Sequence, residues 1–298
     1  MDLAALRIFK SVVENGGINK AAARLHRVPS NVTTRIKQLE EQLATKLFLR
    51  VGRRLALSAE GKLLLVYADR LLQLSSEAEA ALRDGKPRGT LRIGALESTA
   101  ASRLPPVLSR YHALYPAVQI ELVTGTSGAL VSRVHKQDVE AAFVAEPFNA
   151  DGLETQTVFV EELVLITAKN SGPVRSPKDI ENRTVIAFTT GCSYRRRLET
   201  WLDAGRIQPD RIIEFQSYHA IIACVAAGSG IAVVPRAVLG LTRAGPNVTI
   251  TSLPAKIAKT RTQLVWRRDH QSATLDAMKG LFDVFTSPAA GTARRSHR

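Results

Sequence analysis

Three segments at the start of the chain carry apolar residues at helical spacing. The first follows Asp2, a residue suited to cap a helix, and ends at the Asn15-Gly16-Gly17 turn. Asn19 is predicted to cap a second, short helix that has a face of small residues. After a turn at residues 26–28, a third helix is predicted from about Pro29 to Leu43. Short helices at close approach, joined by a tight turn, are typical of a helix-turn-helix.

The third predicted helix has two chemically different faces. Val32, Ile36, Leu39 and Leu43 form one apolar stripe along it. The other face and its flanks carry short polar and basic side chains: Ser30, Asn31, Thr33, Thr34, Arg35 and Lys37. Asn pairs bidentately with adenine, Ser and Thr bond either base pair, and Arg forks onto guanine or reaches a phosphate. The helix therefore fits either a reader of the major groove or an ordinary amphipathic helix.

The next stretch predicts a two-stranded ribbon with arginines at its tip. Residues 47–50 and 54–57 alternate as strands around Val51-Gly52-Arg53. Arg50, Arg53 and Arg54 are predicted to reach the neighbouring minor groove, whose negative potential deepens where the groove is narrow. This ribbon favours a winged helix-turn-helix over an ordinary helical bundle.

A long helix is predicted after the ribbon, with Ser58 as its cap. Its apolar residues step by three and four positions: Leu64, Tyr67, Leu71, Leu74 and Ala78. One small domain cannot bury so long a seam, so the pattern predicts pairing with the same helix of a second copy. The front of the chain thus divides into a winged helix-turn-helix DNA-binding domain (1–58), a dimerising linker helix (59–84) and a Gly- and Pro-containing hinge (85–89).

From residue 90 onward, strand patterns alternate with helical patterns. Strands are predicted at 90–97, 118–123, 139–144, 185–188 and 212–216, with a last one ending at Pro235. Helices are predicted at 98–115, 128–136, 194–204 and about 219–227. This alternation predicts a mostly parallel sheet with helices on both faces over residues 90–288, followed by a disordered basic tail at 289–298. The whole chain is expected to be α/β, with a mainly α N-terminal domain.

The net charge of the chain indicates what kind of partner it binds. The 298 residues include 41 Lys or Arg against 27 Asp or Glu, a formal charge of +14, and the charge is densest over residues 1–88. This balance favours a polyanion, either nucleic acid or an anionic membrane surface. No apolar run is long enough to cross a bilayer, and the first residues lack the features of a secretion signal. Two cysteines are too few for a zinc finger, so a cytosolic protein without metal or membrane is expected.

Four segments resemble the LysR-type transcriptional regulators in order and spacing. They are residues 19–25 (NKAAARL), 30–43 (SNVTTRIKQLEEQL), 47–50 (LFLR) and 57–61 (LSAEG). The family usually has Gln at the position of Pro29, Arg at Thr34, Gly at Ala44 and Thr at Ser58. The resemblance covers the whole chain and implies that the second part is a two-lobed effector domain, similar in fold to periplasmic solute-binding proteins.

Ligands of open α/β sheets bind beyond the carboxyl ends of the strands, where helix N-termini offer free N–H groups. The candidate effector-binding residues at such positions are Ser98, Thr99, Thr126, Ser127, Phe148, Thr189, Cys192, Ser193 and Tyr194, with His219 near the same cleft. Their hydroxyls suit a small anionic metabolite, although Ser and Thr are also the usual caps of helices. The resemblance implies that these positions converge on one cleft, and one of Arg195, Arg196 and Arg197 is a further candidate to support an anion.

Cys192 leaves an alternative function open. It precedes a helix with three arginines, which predicts a lowered thiol pKa and a reactive thiolate. A thiol-based redox sensor, as in some members of the family, is therefore an alternative to a metabolite sensor. Cys224 lies 32 positions away in an apolar helical segment and is predicted to be inert core.

The sequence thus predicts a regulator that binds double-stranded promoter DNA as a homodimer or homotetramer and responds to a small-molecule effector. RNA polymerase is a further candidate partner, no cofactor is expected, and the expected location is the cytoplasm, at the nucleoid. An enzyme is disfavoured because no nucleophile elbow, metal spacing, dinucleotide loop or paired carboxylates are present. A solute-binding transport protein leaves residues 1–88 unexplained.

Overall fold

The computed structural model describes residues 1–51, 54–82, 86–172, 174–180 and 183–286. At residues 51, 54, 77, 80–82 and 283–286 it describes the backbone but not the side chain. The chain divides into two compact units, Met1–Lys86 and Pro87–Arg298, each taken by itself below. Arg53 at the ribbon tip and the predicted tail lie outside the described residues. Within those residues, no helix combines the length and the apolar character needed to span a membrane.

The first unit has the elements α1 (Leu3–Glu14), α2 (Ile18–Arg24), α3 (Pro29–Gln42), β1 (Phe48–Val51), β2 (Arg54–Leu57) and α4 (Ala59–Leu82). The three short helices bury one common core, which includes Phe9, Ala21, Val32 and Leu39. Strands β1 and β2 form an antiparallel ribbon. The first helix is capped as predicted, since the Asp2 carboxylate accepts a hydrogen bond from the N–H of Ala5 at 2.7 Å.

The cap predicted for the second helix is wrong. Helix α2 begins at Ile18, so Asn19 lies within its first turn, and Gly17 precedes it with φ of +148°. A residue with a side chain rarely adopts this conformation, so the glycine sets where the helix starts.

Ala44 stands in a conformation that usually favours glycine. Its φ is +48°, and its N–H donates to the carbonyl of Glu41 at 3.1 Å while the N–H of Thr45 donates to that of Glu40 at 3.0 Å. This pair of bonds is the Schellman motif that ends a helix. The glycine usual at this position in LysR-type sequences matches that geometry, and this chain accepts a strained alanine instead.

The second unit contains the remaining elements. Its strands are β3 (Gly89–Ala95), β4 (Val118–Thr124), β5 (Ala141–Ala145), β6 (Leu153–Ala168), β7 (Thr184–Phe188), β8 (Arg211–Phe215), β9 (Ala232–Pro235), β10 (Val248–Ser252) and β11 (Lys259–Arg267). Its α-helices are α5 (Glu97–Ser102), α6 (Leu104–Leu114), α7 (Ser127–His135), α8 (Ser193–Ala204), α9 (Tyr218–Ala226), α10 (Arg236–Leu239), α11 (Ala255–Ala258) and α12 (Ala273–Thr286). The helix predicted over 98–115 is thus two helices, because Pro105 and Pro106 restart the helical turn after Arg103.

The prediction of a mostly parallel sheet is also wrong. Within the described residues, a seven-stranded sheet has the order β10-β6-β11-β5-β3-β4, with β9 also paired to β6. Only the β3–β4 and β3–β5 pairs of this sheet are parallel, whereas β6, β9, β10 and β11 pair antiparallel. Strands β6, β10 and β11 lie outside the regular strand–helix alternation, so the pattern did not predict them.

Strand β6 joins two lobes of the second unit. Its first half pairs with β11, and its second half pairs with β9 and β10. Strands β3 to β5 with α5 to α7 and α12 form the first lobe, which buries a core around Tyr111, Phe143 and Phe282. Strands β7 to β10 with α8 to α11 form the second lobe, whose core also reaches α7 and β5. The boundary between two lobes is the natural place for a ligand.

Candidate functional site

The face of α3 opposite its buried stripe is exposed in the first unit. Val32, Ile36 and Leu39 are buried, and the opposite face and flanks expose Ser30, Asn31, Thr34, Arg35 and Lys37. Thr33 is half-buried, and its hydroxyl donates to the carbonyl of Pro29 at 3.0 Å, which leaves it less free for a base. Arg50 is exposed on β1, while Arg53 and the side chain of Arg54 lie outside the described residues. The described part of this surface is polar and basic, as major-groove reading requires.

A buried carboxylate joins α3 to the ribbon. Glu40 accepts hydrogen bonds from Lys46 Nζ at 2.9 Å and from the N–H groups of Leu47 at 2.9 Å and Phe48 at 3.3 Å. Burial by itself raises the pKa of Glu40, but these three donors outweigh it and hold the pKa below its usual value. The charged carboxylate therefore fixes the orientation of the ribbon relative to α3.

Glu40→Gln is expected to lower the free energy of unfolding by about 1 to 3 kcal/mol at neutral pH, because the amide loses the charge-assisted bonds. A lowered folded-state pKa contributes stability above the unfolded value of about 4.3, and that contribution disappears as pH falls through the folded pKa. Denaturant unfolding of the full chain, followed by circular dichroism from pH 7 to pH 3, measures this. The two proteins should converge in acid, and a constant difference at every pH would contradict the assigned role.

Helix α4 exposes an apolar surface along most of its length. We define the α4 stripe as Leu63, Val66, Tyr67, Leu71 and Leu74, each at least 37% exposed. Ala78, from the predicted seam, is exposed as well. Leu64, also predicted in that seam, packs instead against the core of its own unit, together with Leu65 and Leu72. At the N-terminal end of α4, the exposed apolar seam therefore runs through Leu63 and Val66 and not through the predicted Leu64.

Four buried hydroxyls from both lobes lack partners in the second unit. Ser98 on α5, Tyr194 on α8 and Thr262 on β11 lie together, and with Thr99, the next residue of α5, we call them the cleft cluster. Ser98 and Thr262 lie close enough to influence the pKa of Tyr194, which burial raises above its usual value. Within the described residues no oxygen of the cluster makes a hydrogen bond of normal geometry, and Ser98 and Thr262 contact Tyr194 only weakly. Because a buried, unpaired hydroxyl is costly, the cluster is suited to bind polar groups of a ligand.

Three other predicted effector residues have structural roles. Ser127 Oγ donates to the carbonyl of Ala145 at 3.1 Å and accepts from the Ala145 N–H at 3.2 Å. Ser193 Oγ donates to the same carbonyl at 2.8 Å. Thr126 caps α7 by accepting from the N–H of Ala129 at 3.4 Å. These hydroxyls hold the ends of β5, α7 and α8 together, so they frame the cleft.

The remaining predicted residues fall at different places. Gly191, next to Cys192, has φ of +90° and lies so near Thr126 that a Cβ there would approach its Oγ1 to 3.1 Å. The loop that carries Thr189 therefore closes against the start of α7. His219 is exposed at the start of α9. Phe148 lines a separate cavity, described below.

The predicted activation of Cys192 is wrong. The thiol is buried, and its Sγ contacts the hydroxyl of Tyr218 at 3.9 Å. Burial raises the pKa of Cys192, and this outweighs the N–H groups of Arg195 and Tyr194 and the charge of Arg195, which lower it. Arg195 is also directed to Glu199 and Glu214. A buried, protonated thiol is a poor nucleophile, so the geometry gives the redox alternative no support. Cys224 is half-buried and packs against the core of the second lobe.

The sequence did not predict Glu97 as part of this site. Burial raises the pKa of Glu97, while the N–H of Tyr218 and the charge of His219 lower it. Its Oε2 has no partner in the described residues. Arg103, which follows the last turn of α5, is paired with Glu161 at 2.7 Å. Glu97 was predicted as the last residue of a strand but is the first residue of α5, directly before Ser98. Thr262 lies on a strand that was not predicted.

Comparison with known proteins agrees with this architecture. Residues 3–62 match the family described as bacterial regulatory helix-turn-helix protein, lysR family. Residues 84–284 match the LysR substrate binding domain. The chain belongs to the LysR family of transcriptional regulators. This LysR-family protein is thus a DNA-binding regulator with an effector-binding domain.

Similar regulators cover nearly its whole length. It is 37% identical over 297 residues to the uncharacterized HTH-type transcriptional regulator YusT of Bacillus subtilis, which covers 99% of each chain. It is 38% identical over 271 residues to the regulator SoxR of Arthrobacter sp., covering 90% of this chain and 92% of SoxR. Full-length CbnR complexed with its target DNA has a TM-score of 0.70 at 22% identity, covering 95% of this chain and 99% of CbnR. A full-length OxyR variant from Pseudomonas aeruginosa has a TM-score of 0.69 at 19% identity, covering 95% and 94%. These two structures share the fold.

Proposed function

We propose that this LysR-family regulator binds two half-sites of promoter DNA as a homodimer or homotetramer, and that a small anionic metabolite in the interlobe cleft changes this binding. The observation that carries the proposal is the exposed polar and basic face of α3. We further propose that the regulator acts in the cytoplasm at the nucleoid and that RNA polymerase is a further partner. We propose no enzymatic activity for it.

The DNA-binding surface combines base reading with phosphate contacts. Asn31 and Arg35 lie in the first two turns of α3, where a recognition helix meets base edges. Ser30, Thr34 and Lys37 flank them, and Arg50, Arg53 and Arg54 supply charge from the ribbon. The shared fold with CbnR, which was crystallised with its target DNA, supports this assignment.

The cleft cluster forms the polar part of the proposed effector site. Ser98, Thr99 and Tyr194 offer buried hydroxyls to one anionic end of a ligand. Glu97 disfavours a second anionic group beside it. We therefore expect a ligand with a single acidic group and a hydrogen-bond donor at the other end.

Asn31→Ala tests the base-reading role. The variant should lose about 1 to 3 kcal/mol of binding free energy on the promoter of its own gene, mainly through one base pair, because a bidentate contact to adenine disappears. Arg50→Ala serves as the comparison, since loss of a phosphate contact weakens specific and random duplexes alike and reduces the salt dependence. Fluorescence anisotropy on both duplexes measures this. Equal losses for Asn31→Ala on the two duplexes would refute the proposed role.

Tyr194→Phe tests the cleft. It removes a buried hydroxyl whose contacts with Ser98 and Thr262 are weaker than a full hydrogen bond, so the melting temperature of the free protein should change little. The stabilisation by a ligand found in a thermal-shift screen of metabolite carboxylates and amino acids should fall by about 1 to 3 kcal/mol. Ser132→Ala, on the half-buried surface of α7, is the control. An unchanged ligand response in Tyr194→Phe would place the effector elsewhere.

A further inference from the structure

A cavity on the flank of the two lobes has no part in the proposed effector site. This flank cavity has a volume of about 580 Å³. Its walls include Phe148 in the segment after β5, Gln263 on β11, Arg197 on α8, and Lys256 and Ile257 on α11. A volume of this order accommodates a compact small molecule.

The flank cavity and the cleft cluster lie on opposite sides of β11. Thr262 and Gln263 are consecutive on this strand, and each keeps its register with β5, opposite Ala145 and Val144. Successive side chains of a strand point to opposite faces. Thr262 belongs to the cleft cluster and Gln263 lines the flank cavity, so a molecule in one site does not occupy the other.

A fixed cation lines this cavity. Arg197 Nε donates to the carbonyl of Glu146 at 3.3 Å, and its Nη1 donates to the carbonyls of Lys256 at 3.0 Å and Ile257 at 3.5 Å. These bonds hold the guanidinium in place, and no carboxylate of the described residues forms a salt bridge with it. Its Nη2 makes no hydrogen bond to the described residues. Burial lowers the pKa of Arg197 and the charge of Glu146 opposes this.

The other charges of the cavity favour an anion as well. Lys256 is exposed and forms no salt bridge with the described residues. The carboxylate of Glu146 is occupied in part, since its Oε1 accepts from Gln263 Nε2 at 2.7 Å. Two cations against one carboxylate leave a net positive charge beside the apolar side chains of Phe148 and Ile257.

We propose that the flank cavity binds an organic monocarboxylate with a compact apolar body. The carboxylate accepts hydrogen bonds from the free Nη2 of Arg197 and from Lys256 Nζ, and the body packs against Phe148 and Ile257. Glu146 repels a second acidic group, so dicarboxylates bind more weakly. Because the walls come from both lobes, occupancy fixes the lobes relative to each other independently of the effector.

Isothermal titration calorimetry of the full chain with sodium benzoate tests the chemistry of the ligand. Benzyl alcohol and benzylamine are matched probes with the same ring and a neutral or cationic head. Benzoate should bind, benzyl alcohol should bind about tenfold more weakly or worse, and benzylamine should not bind. Absence of benzoate binding, or equal binding of benzyl alcohol, overturns the proposal.

Variants then locate the site. Lys256→Gln should weaken benzoate binding about tenfold, and Thr200→Trp, which places an indole in the cavity wall on α8, should abolish it. Lys259→Gln and Arg196→Gln, which remove exposed cations just outside the cavity, should bind within about twofold of the wild type. Circular dichroism confirms that each variant is folded. Benzoate binding that survives Lys256→Gln or Thr200→Trp, or that is lost in the cleft variant Tyr194→Phe instead, overturns the assignment to this cavity.

Discussion

Gly61→Ala should destabilise the first unit by about 3 kcal/mol and abolish specific DNA binding. A Cβ at this position would lie 2.2 Å from the carbonyl oxygen of Leu47 and 2.8 Å from Leu57 Cδ2. The Leu47 oxygen is backbone and already accepts from the Ser58 N–H at 3.0 Å, so it cannot move aside. The substitution must therefore push α4 away from the ribbon, which carries the phosphate contacts.

The two tryptophans make this loss easy to localise. Trp201 and Trp266 both lie in the second unit, so their fluorescence follows that unit alone, whereas circular dichroism follows both. The dichroism transition should move to lower denaturant while the fluorescence transition stays in place. Gly280→Ala in α12 is the matched control, since a Cβ there meets nothing within 4 Å and alanine stabilises a helix by about 0.5 to 1 kcal/mol. Wild-type stability of Gly61→Ala would contradict the contact geometry.

Leu74→Asp should dissociate the proposed dimer and weaken binding to a two-half-site operator by about a hundredfold or more. Leu74 is 62% exposed in the α4 stripe, next to Leu71 and Tyr67. A carboxylate in a paired apolar seam is buried without a partner, which opposes association. Without a partner helix, each winged helix-turn-helix domain binds its half-site alone. The gain in affinity that comes from joining two DNA-binding domains is then lost.

Analytical ultracentrifugation and anisotropy on the same samples test this expectation. Ser76→Asp, on the same helix and exposed, adds the same charge outside the α4 stripe and should leave both mass and affinity close to wild type. A Leu74→Asp protein that keeps the wild-type mass would show that the stripe does not hold the copies together.

Local periodicity predicted the first unit well, because its helices are amphipathic and follow one another closely. The stripe of Val32, Ile36 and Leu39 lies buried as the spacing indicated. The cap of α2 is Gly17 and not Asn19, an error of two residues that came from the conformation of Gly17, which no spacing reveals. Tyr67, Leu71 and Leu74 of the α4 stripe were predicted, whereas Leu63 and Val66 were missed. The predicted Leu64 packs on its own unit instead, since the pattern cannot tell which side of a helix its own domain covers.

Pairing between distant segments limited the prediction of the second unit. Strands β6 and β11 meet through long-range antiparallel pairing, which has no local signal. The hydroxyls of Ser127 and Ser193 bond to Ala145 rather than to solvent or ligand, and only the fold brings these residues together. Cys192 shows the same limit, because its position before a helix predicted a reactive thiol while its burial raises its pKa.

Selection of bound duplexes from a random double-stranded library is the most direct test of the central claim. The full chain should enrich a pair of inverted half-sites whose centres lie about one helical turn or a multiple of it apart, matching a twofold pair of α3 helices. Asn31→Ala should lose the preference at one position in each half-site. Enrichment of a single unpaired site, or of no sequence at all, would contradict the account.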